Sequence, residues 1–166
     1  RQMCIRDRIQ EAQALGHAVK PVIPGPLTWL YLGKGDAFAG GAADEGKLQL
    51  LAALLPVYEE VLARFAKLGV QWVQIDEPIL VLDLPQAWRD AFKQVYGVLA
   101  ASPVKLLIAT YFDGLKDNLP TVQALPVAGL HVDLVRAPEQ LADVVAGLRA
   151  DQVLSAGIIN GRNIWR

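Results

Sequence analysis

Val73-Gln74-Ile75-Asp76-Glu77-Pro78 closes an apolar run that begins at Val70 with two adjacent carboxylates and a proline. A short apolar run of this kind reads as a buried strand. Pro78 has no N–H to give to a ladder, so the strand must stop there. Side chains alternate along a strand, so Gln74 and Asp76 share one face and Glu77 takes the other. A buried strand ending in acids is how an α/β fold delivers polar groups to the carboxyl ends of its strands, where ligands gather. The competing reading is local, with Asp76 capping the turn after the strand.

Upstream of this stretch, residues 9–15 predict a helix stopped by Gly16. Residues 19–23 predict a strand, in which Pro21 is awkward for a central position. Residues 27–46, rich in Gly and Ala, read as a long loop with a helical turn at 27–32. A long helix is predicted over 47–68, with Leu48, Leu51, Leu55, Tyr58, Leu62 and Phe65 as its apolar stripe. Glu60 and Arg64 are placed to pair on its wet face, and Pro56 should bend or divide it. Downstream, Asp83 is the expected cap of a helix that buries Trp88, Phe92, Val95 and Leu99. Strands follow at 104–111, 129–135 and 153–159, separated by helices at 117–125 and 138–148, the latter with Leu141, Val144, Val145 and Leu148 inward.

Strands thus alternate with helices, the pattern of βαβ units and a parallel sheet. Asp76, Asp113, Asp133 and Asn160 fall at or near the carboxyl ends of different strands. A barrel gathers such residues around one mouth, whereas an open doubly wound sheet concentrates them at a switch point. The expected fold is therefore α/β, a partial (β/α)8 TIM-like barrel with parallel strands. A full barrel takes roughly 250 residues, so this chain is expected to be truncated at both ends.

The chain has 166 residues, of which 53% are hydrophobic, enough for one real core. Sixteen basic and seventeen acidic residues give a net charge of −1. Neither a nucleic-acid surface nor a polybasic membrane patch is suggested, and no transmembrane span is expected. The lone Cys4 excludes an intrachain disulfide and fits a reducing compartment, so a cytoplasmic protein is expected. Residues 1–8 look like a foreign or artefactual segment, similar to translated adapter sequence, and the barrel domain is taken as residues 9–166. If residues 1–8 are native, they form the first turn of the helix at 9–15.

Several blocks in series carry a resemblance. They are Val19-Lys20-Pro21-Val22-Ile23-Pro24-Gly25-Pro26-Leu27-Thr28-Trp29-Leu30, Leu55-Pro56-Val57-Tyr58, Trp72-Val73-Gln74-Ile75-Asp76-Glu77-Pro78, Gly129-Leu130-His131-Val132-Asp133-Leu134-Val135, and the stretch from Ser155 through Asn160-Gly161-Arg162-Asn163 to Arg166. Together they resemble the amino-terminal half of cobalamin-independent methionine synthase. The resemblance implies a two-barrel enzyme that needs no cobalamin. It moves a methyl group from 5-methyltetrahydrofolate polyglutamate to the thiol of homocysteine, and zinc in the carboxyl-terminal catalytic barrel activates that thiol. The carboxyl-terminal barrel is then the partner of this chain, which scaffolds it and helps bind folate, and which is expected to be inactive alone.

The family's zinc ligands are His, Glu and two Cys of the second barrel, and nothing here has metal-ligand spacing. No catalytic residue is expected in this chain. Asp76, Glu77, Asn160 and Arg162 are the candidate substrate-binding residues. Asp76 matches a motif whose second-half copy is associated with homocysteine, while in this first-half copy the favoured reading is that Asp76 and Glu77 hold loops, or the barrel mouth, rather than substrate. Arg162, with Asn160 and Asn163, suits a carboxylate such as the folate glutamate tail, against the alternative of a strand-end turn. His131 and Asp133 are readable as an acid–base pair or as interior polar residues with structural partners. Trp29, Trp72 and Trp88 read as packing residues, Trp29 being the one best placed to face a pteridine. Two other functions stay open: a free-standing barrel enzyme of a uroporphyrinogen decarboxylase-like or aldolase-like type, and a non-catalytic interaction module.

Overall fold

The structure, a computed structural model, describes residues 5–35 and 41–162; Cys4 and Asn163 lie outside them. Among the described residues five strands run in parallel in the order β1-β2-β3-β4-β5: Val22–Pro24, Trp72–Asp76, Lys105–Ala109, Gly129–Asp133 and Val153–Gly157. Each neighbour in the sheet is the next strand in the chain, and every pairing is parallel. That is barrel order, with no point at which the strand order reverses. Among the described residues the sheet does not close, so the fold is an α/β partial barrel with β1 and β5 at its edges.

Among the described residues six α-helices accompany the strands: α1 (Ile5–Ala14), α2 (Pro26–Leu32), α3 (Leu51–Lys67), α4 (Gln86–Leu99), α5 (Leu119–Gln123) and α6 (Leu141–Ala146). α1 begins at Ile5, four residues before the expected start at 9. α2 is a full short helix where a single turn was expected. The predicted helix over 47–68 opens as a 3-10 segment, Glu45–Leu50, and then runs unbroken as α3. Pro56 does not divide it. Ala52, whose carbonyl loses its partner, and Pro56 are both exposed, so solvent takes over that carbonyl. Gly69 stops α3 in the left-handed region, at φ +76°.

Asp83 does not cap α4, because the helix starts later and its N-cap position is Pro85. Asp83 instead lies 3.7 Å from Arg89. The expected inward face of α4 is buried in full, Trp88, Phe92, Val95 and Leu99 together. In α6 only Val144 of the expected stripe is fully inside. Leu141 and Val145 are exposed, since α6 covers the sheet at its β5 edge, where no further strand follows among the described residues.

The two sheet faces differ in kind. Val73, Ile75, Leu106, Ile108, Leu130 and Val132 point to the helices and are buried. Fully burying one such aliphatic side chain contributes about 1.5–3 kcal/mol, so this face holds the fold together. The opposite face carries Gln74, Asp76, His131 and Ser155 and stays partly open. No helix among the described residues is long and apolar enough to cross a membrane.

Candidate functional site

Parallel register places Pro24, Asp76, Ala109, His131 and Ser155 in one lateral row across the sheet, all on the open face. Beyond this row, at the carboxyl ends, stand Tyr111 and Asp133. The pattern that set Gln74 and Asp76 on one face and Glu77 on the other therefore holds in three dimensions.

Asp76 is partly buried and held by neutral donors. Gln74 Nε2 donates to its Oδ1 at 2.8 Å, and the Tyr111 hydroxyl donates to its Oδ2 at 3.2 Å. Lys20 Nζ donates to Gln74 Oε1 at 2.6 Å. That bond fixes which way the Gln74 amide faces, and so presents its NH2 to Asp76. Burial, with Asp76 alongside, pushes the Tyr111 hydroxyl up to about 12, so it stays a donor at neutral pH.

Glu77 was a candidate substrate-binding residue, and in this fold it is fully buried. Its carboxylate accepts from Thr28 N at 2.8 Å, Thr28 Oγ1 at 2.6 Å, Leu27 N at 3.3 Å and the Tyr96 hydroxyl at 2.8 Å. It thereby takes the place of a missing local cap for α2, whose N-cap is Gly25 and makes no side-chain cap bond. Gly25 is required there, because a Cβ on it would sit 2.0 Å from Glu77 Cδ. Burial pushes the Glu77 carboxyl up to about 7, outweighing the donations that hold it down.

His131 and Asp133 share a face, as expected, but do not pair with each other. His131 Nδ1 lies in hydrogen-bond contact with Ser155 Oγ at 2.9 Å. Burial first, and Lys20 second, hold its pKa below the usual histidine value, so it is neutral at neutral pH. Asp133 accepts from Phe112 N, Val135 N and Arg136 N, and pairs with the Arg136 guanidinium at 3.3 Å. Burial alone would raise its pKa, and those donations outweigh it and bring it below the ordinary carboxylate range. The interior-polar reading is the one the geometry supports for both.

Asn160 and Arg162 are exposed and close a local turn in which Arg162 N donates to Asn160 Oδ1 at 3.1 Å. They follow β5, three strands along the sheet from Asp76. Trp88 is buried with its N–H on Ala43 O. Trp29 is 54% exposed. It lines an apolar groove of about 330 Å3 with Ile23, Pro24, Val57 and Tyr58. Tyr111 and Ser155 went unremarked as site members in the sequence, although β3 and β5 parity places both on the Asp76 face.

A family model described as "Cobalamin-independent synthase, N-terminal domain" matches residues 2–166. A solved structure, a methyltransferase from Methanosarcina mazei, superposes with a TM-score of 0.60 at 17% sequence identity. The alignment covers 90% of this chain and 47% of that one, so the chain spans about half the length of that protein. At this identity the likeness is one of fold.

Proposed function

The chain belongs to the cobalamin-independent synthase N-terminal domain family, and from that premise we propose that it serves as the amino-terminal barrel of an S-methyltransferase. The reaction in view passes a methyl group from 5-methyltetrahydrofolate polyglutamate to the thiol of homocysteine. What carries this reading is the family match along residues 2–166. The sequential parallel sheet, with polar groups at its carboxyl ends, accords with it.

Zinc, when bound, holds a thiolate ready at neutral pH. Among the described residues no three His, Cys, Asp or Glu side chains come together to hold a metal. The residues described here do not fit a zinc site, and the proposal puts that site in a carboxyl-terminal barrel. This chain's own contribution is then a rigid face for that partner, with Asn160 and Arg162 as exposed groups for the glutamate tail of the folate.

The test is methyl transfer measured for this chain alone and for the chain combined with a zinc-loaded carboxyl-terminal barrel of the family. No turnover alone and turnover in combination is the expected outcome. Methyl transfer by the chain alone, or a combination no faster than the carboxyl-terminal barrel by itself, would overturn the scaffold role. Arg162→Ala should weaken a triglutamate folate more than a monoglutamate one. Equal weakening would remove Arg162 from tail binding.

A further inference from the structure

α2 is seven residues long, too short to keep its helical form without a seat. The tip of β2 supplies that seat. Gly25 N donates to Asp76 O at 2.7 Å, and Pro26 has no N–H to place. The next two donors, Leu27 N and Thr28 N, both end on the Glu77 carboxylate, joined there by the Thr28 hydroxyl. Glu77 is fully buried, and none of the ion pairs among the described residues includes it. The titratable groups around it are Tyr58 from α3, Tyr96 from α4, Tyr111 from beyond β3, and its own neighbour Asp76 in β2. Burial raises all three tyrosine hydroxyls, so they stay neutral near neutral pH. The cluster therefore brings Glu77 donors and no positive charge. A carboxylate taken out of water without a counter-charge resists ionising.

We infer that α2 is a proton-operated element: protonated Glu77 seats it on the sheet, and loss of that proton lets α2 open while the strands stay paired. Hydrogen bonding serves both forms of the carboxyl group. Ionised, it accepts from all four donors; protonated, it turns its O–H toward Thr28 Oγ1 or Tyr96 Oη, each of which can accept. Solvation is what separates the two forms. With α2 seated, burial pushes the carboxyl up to about 7. Once α2 opens, water reaches the group and its ordinary value of 4.5 returns. Opening therefore releases a proton between those two values. It is rarest below pH 4.5, grows more frequent as pH climbs to about 7, and levels off above that. An open α2 uncovers Leu27 and Leu30, which are buried when it is seated, and takes Trp29 from the groove it lines. The device needs nothing from the methyl-transfer reaction, so either reading can fail without the other.

The test is amide hydrogen exchange of the 166-residue chain, followed by NMR from about pH 5 to about pH 8 and corrected for intrinsic exchange at each pH. Trp29 and Leu30 report α2, and Leu107 and Ile108 report β3. The opening constant of α2 should exceed that of β3 throughout, and should rise roughly tenfold to a hundredfold across this range. Glu77→Gln should make it independent of pH. Tyr96→Phe removes a donor that favours the ionised carboxylate, so the rise should continue to higher pH. One opening constant shared by α2 and β3 overturns the inference, because α2 then opens only with the whole fold. So does an α2 opening constant that stays flat with pH, or a rise that survives in Glu77→Gln. Should Glu77→Gln fail to fold, Tyr96→Phe decides: a rise ending at the same pH as in the unaltered chain removes Glu77 as the operating group.

Discussion

Glu77 shows what one buried carboxylate does to a fold of this kind. It sits at the tip of β2, yet it works for α2, accepting from Leu27 N, Thr28 N and Thr28 Oγ1. Its pKa is about 7 in the fold against an ordinary value of 4.5. The folded protein therefore holds this proton more tightly than the unfolded chain does. The resulting stabilisation is complete below pH 4.5 and is lost as pH rises through about 7. Urea denaturation at steps from pH 4.5 to 8 should show stability falling across this window, and Glu77→Gln should flatten the fall. Parallel curves for the two proteins would dismiss Glu77 as the titrating group. Gly25→Ala tests the same contact from the other side. Its Cβ would meet the Glu77 carboxylate at 2.0 Å, so a loss of about 1–3 kcal/mol is expected from the same denaturation curves. The burial of Glu77 was implicit in the sequence, since it shares parity with Val73 and Ile75. Its four partners were not, because they come from α2 and α4, distant in the chain.

At the scale of elements, the turn after β3 is latched to the end of β4. Phe112 has φ +87° and is 60% exposed, its ring set edge-on to Tyr111 with centroids 4.7 Å apart. Its N–H donates to Asp133, which also holds Val135 N and Arg136 N. A non-glycine residue in this region costs about 1–2 kcal/mol. Phe112→Gly should relieve that strain while losing a ring contact worth about 0.5–1.5 kcal/mol, so a stability change within about 1 kcal/mol is expected. Asp133→Ala leaves three backbone donors without their acceptor and should cost at least about 2 kcal/mol. Thermal melts of the two variants, with the larger loss in Phe112→Gly, would contradict the latch. Strand and helix identity were legible here because apolar runs and 3.6-residue stripes are local signals. Element ends were less so. Asp83 has a capping side chain but lies two residues ahead of the N-cap position taken by Pro85, and only the path of the backbone decides that.

At the scale of the whole molecule, the sheet has two bare edges among the described residues, β1 and β5. The alternation of strands and helices made parallel pairing legible. The alignment of Asp76, His131 and Ser155 in one row depends on register, which no local pattern encodes. The edges also explain where the burial expectations failed. Leu141 and Val145 of α6 are exposed, as are Val153 of β5 and Ile158 and Ile159 just beyond it. On the β1 side, Trp29 and Val57 border an open apolar groove. Unpaired backbone groups beside exposed apolar side chains are a template for association. The chain by itself should therefore self-associate with rising concentration, and sedimentation velocity should show a growing weight-average mass. Val153 is half exposed at the start of the β5 edge. Replacing it with lysine, together with Ile159→Lys, places repelling charges where two edges would meet and should shift the chain toward monomer with its circular dichroism unchanged. Mass independent of concentration in the unaltered chain, or the same association in the doubly substituted one, would show that the β5 edge is not the contact.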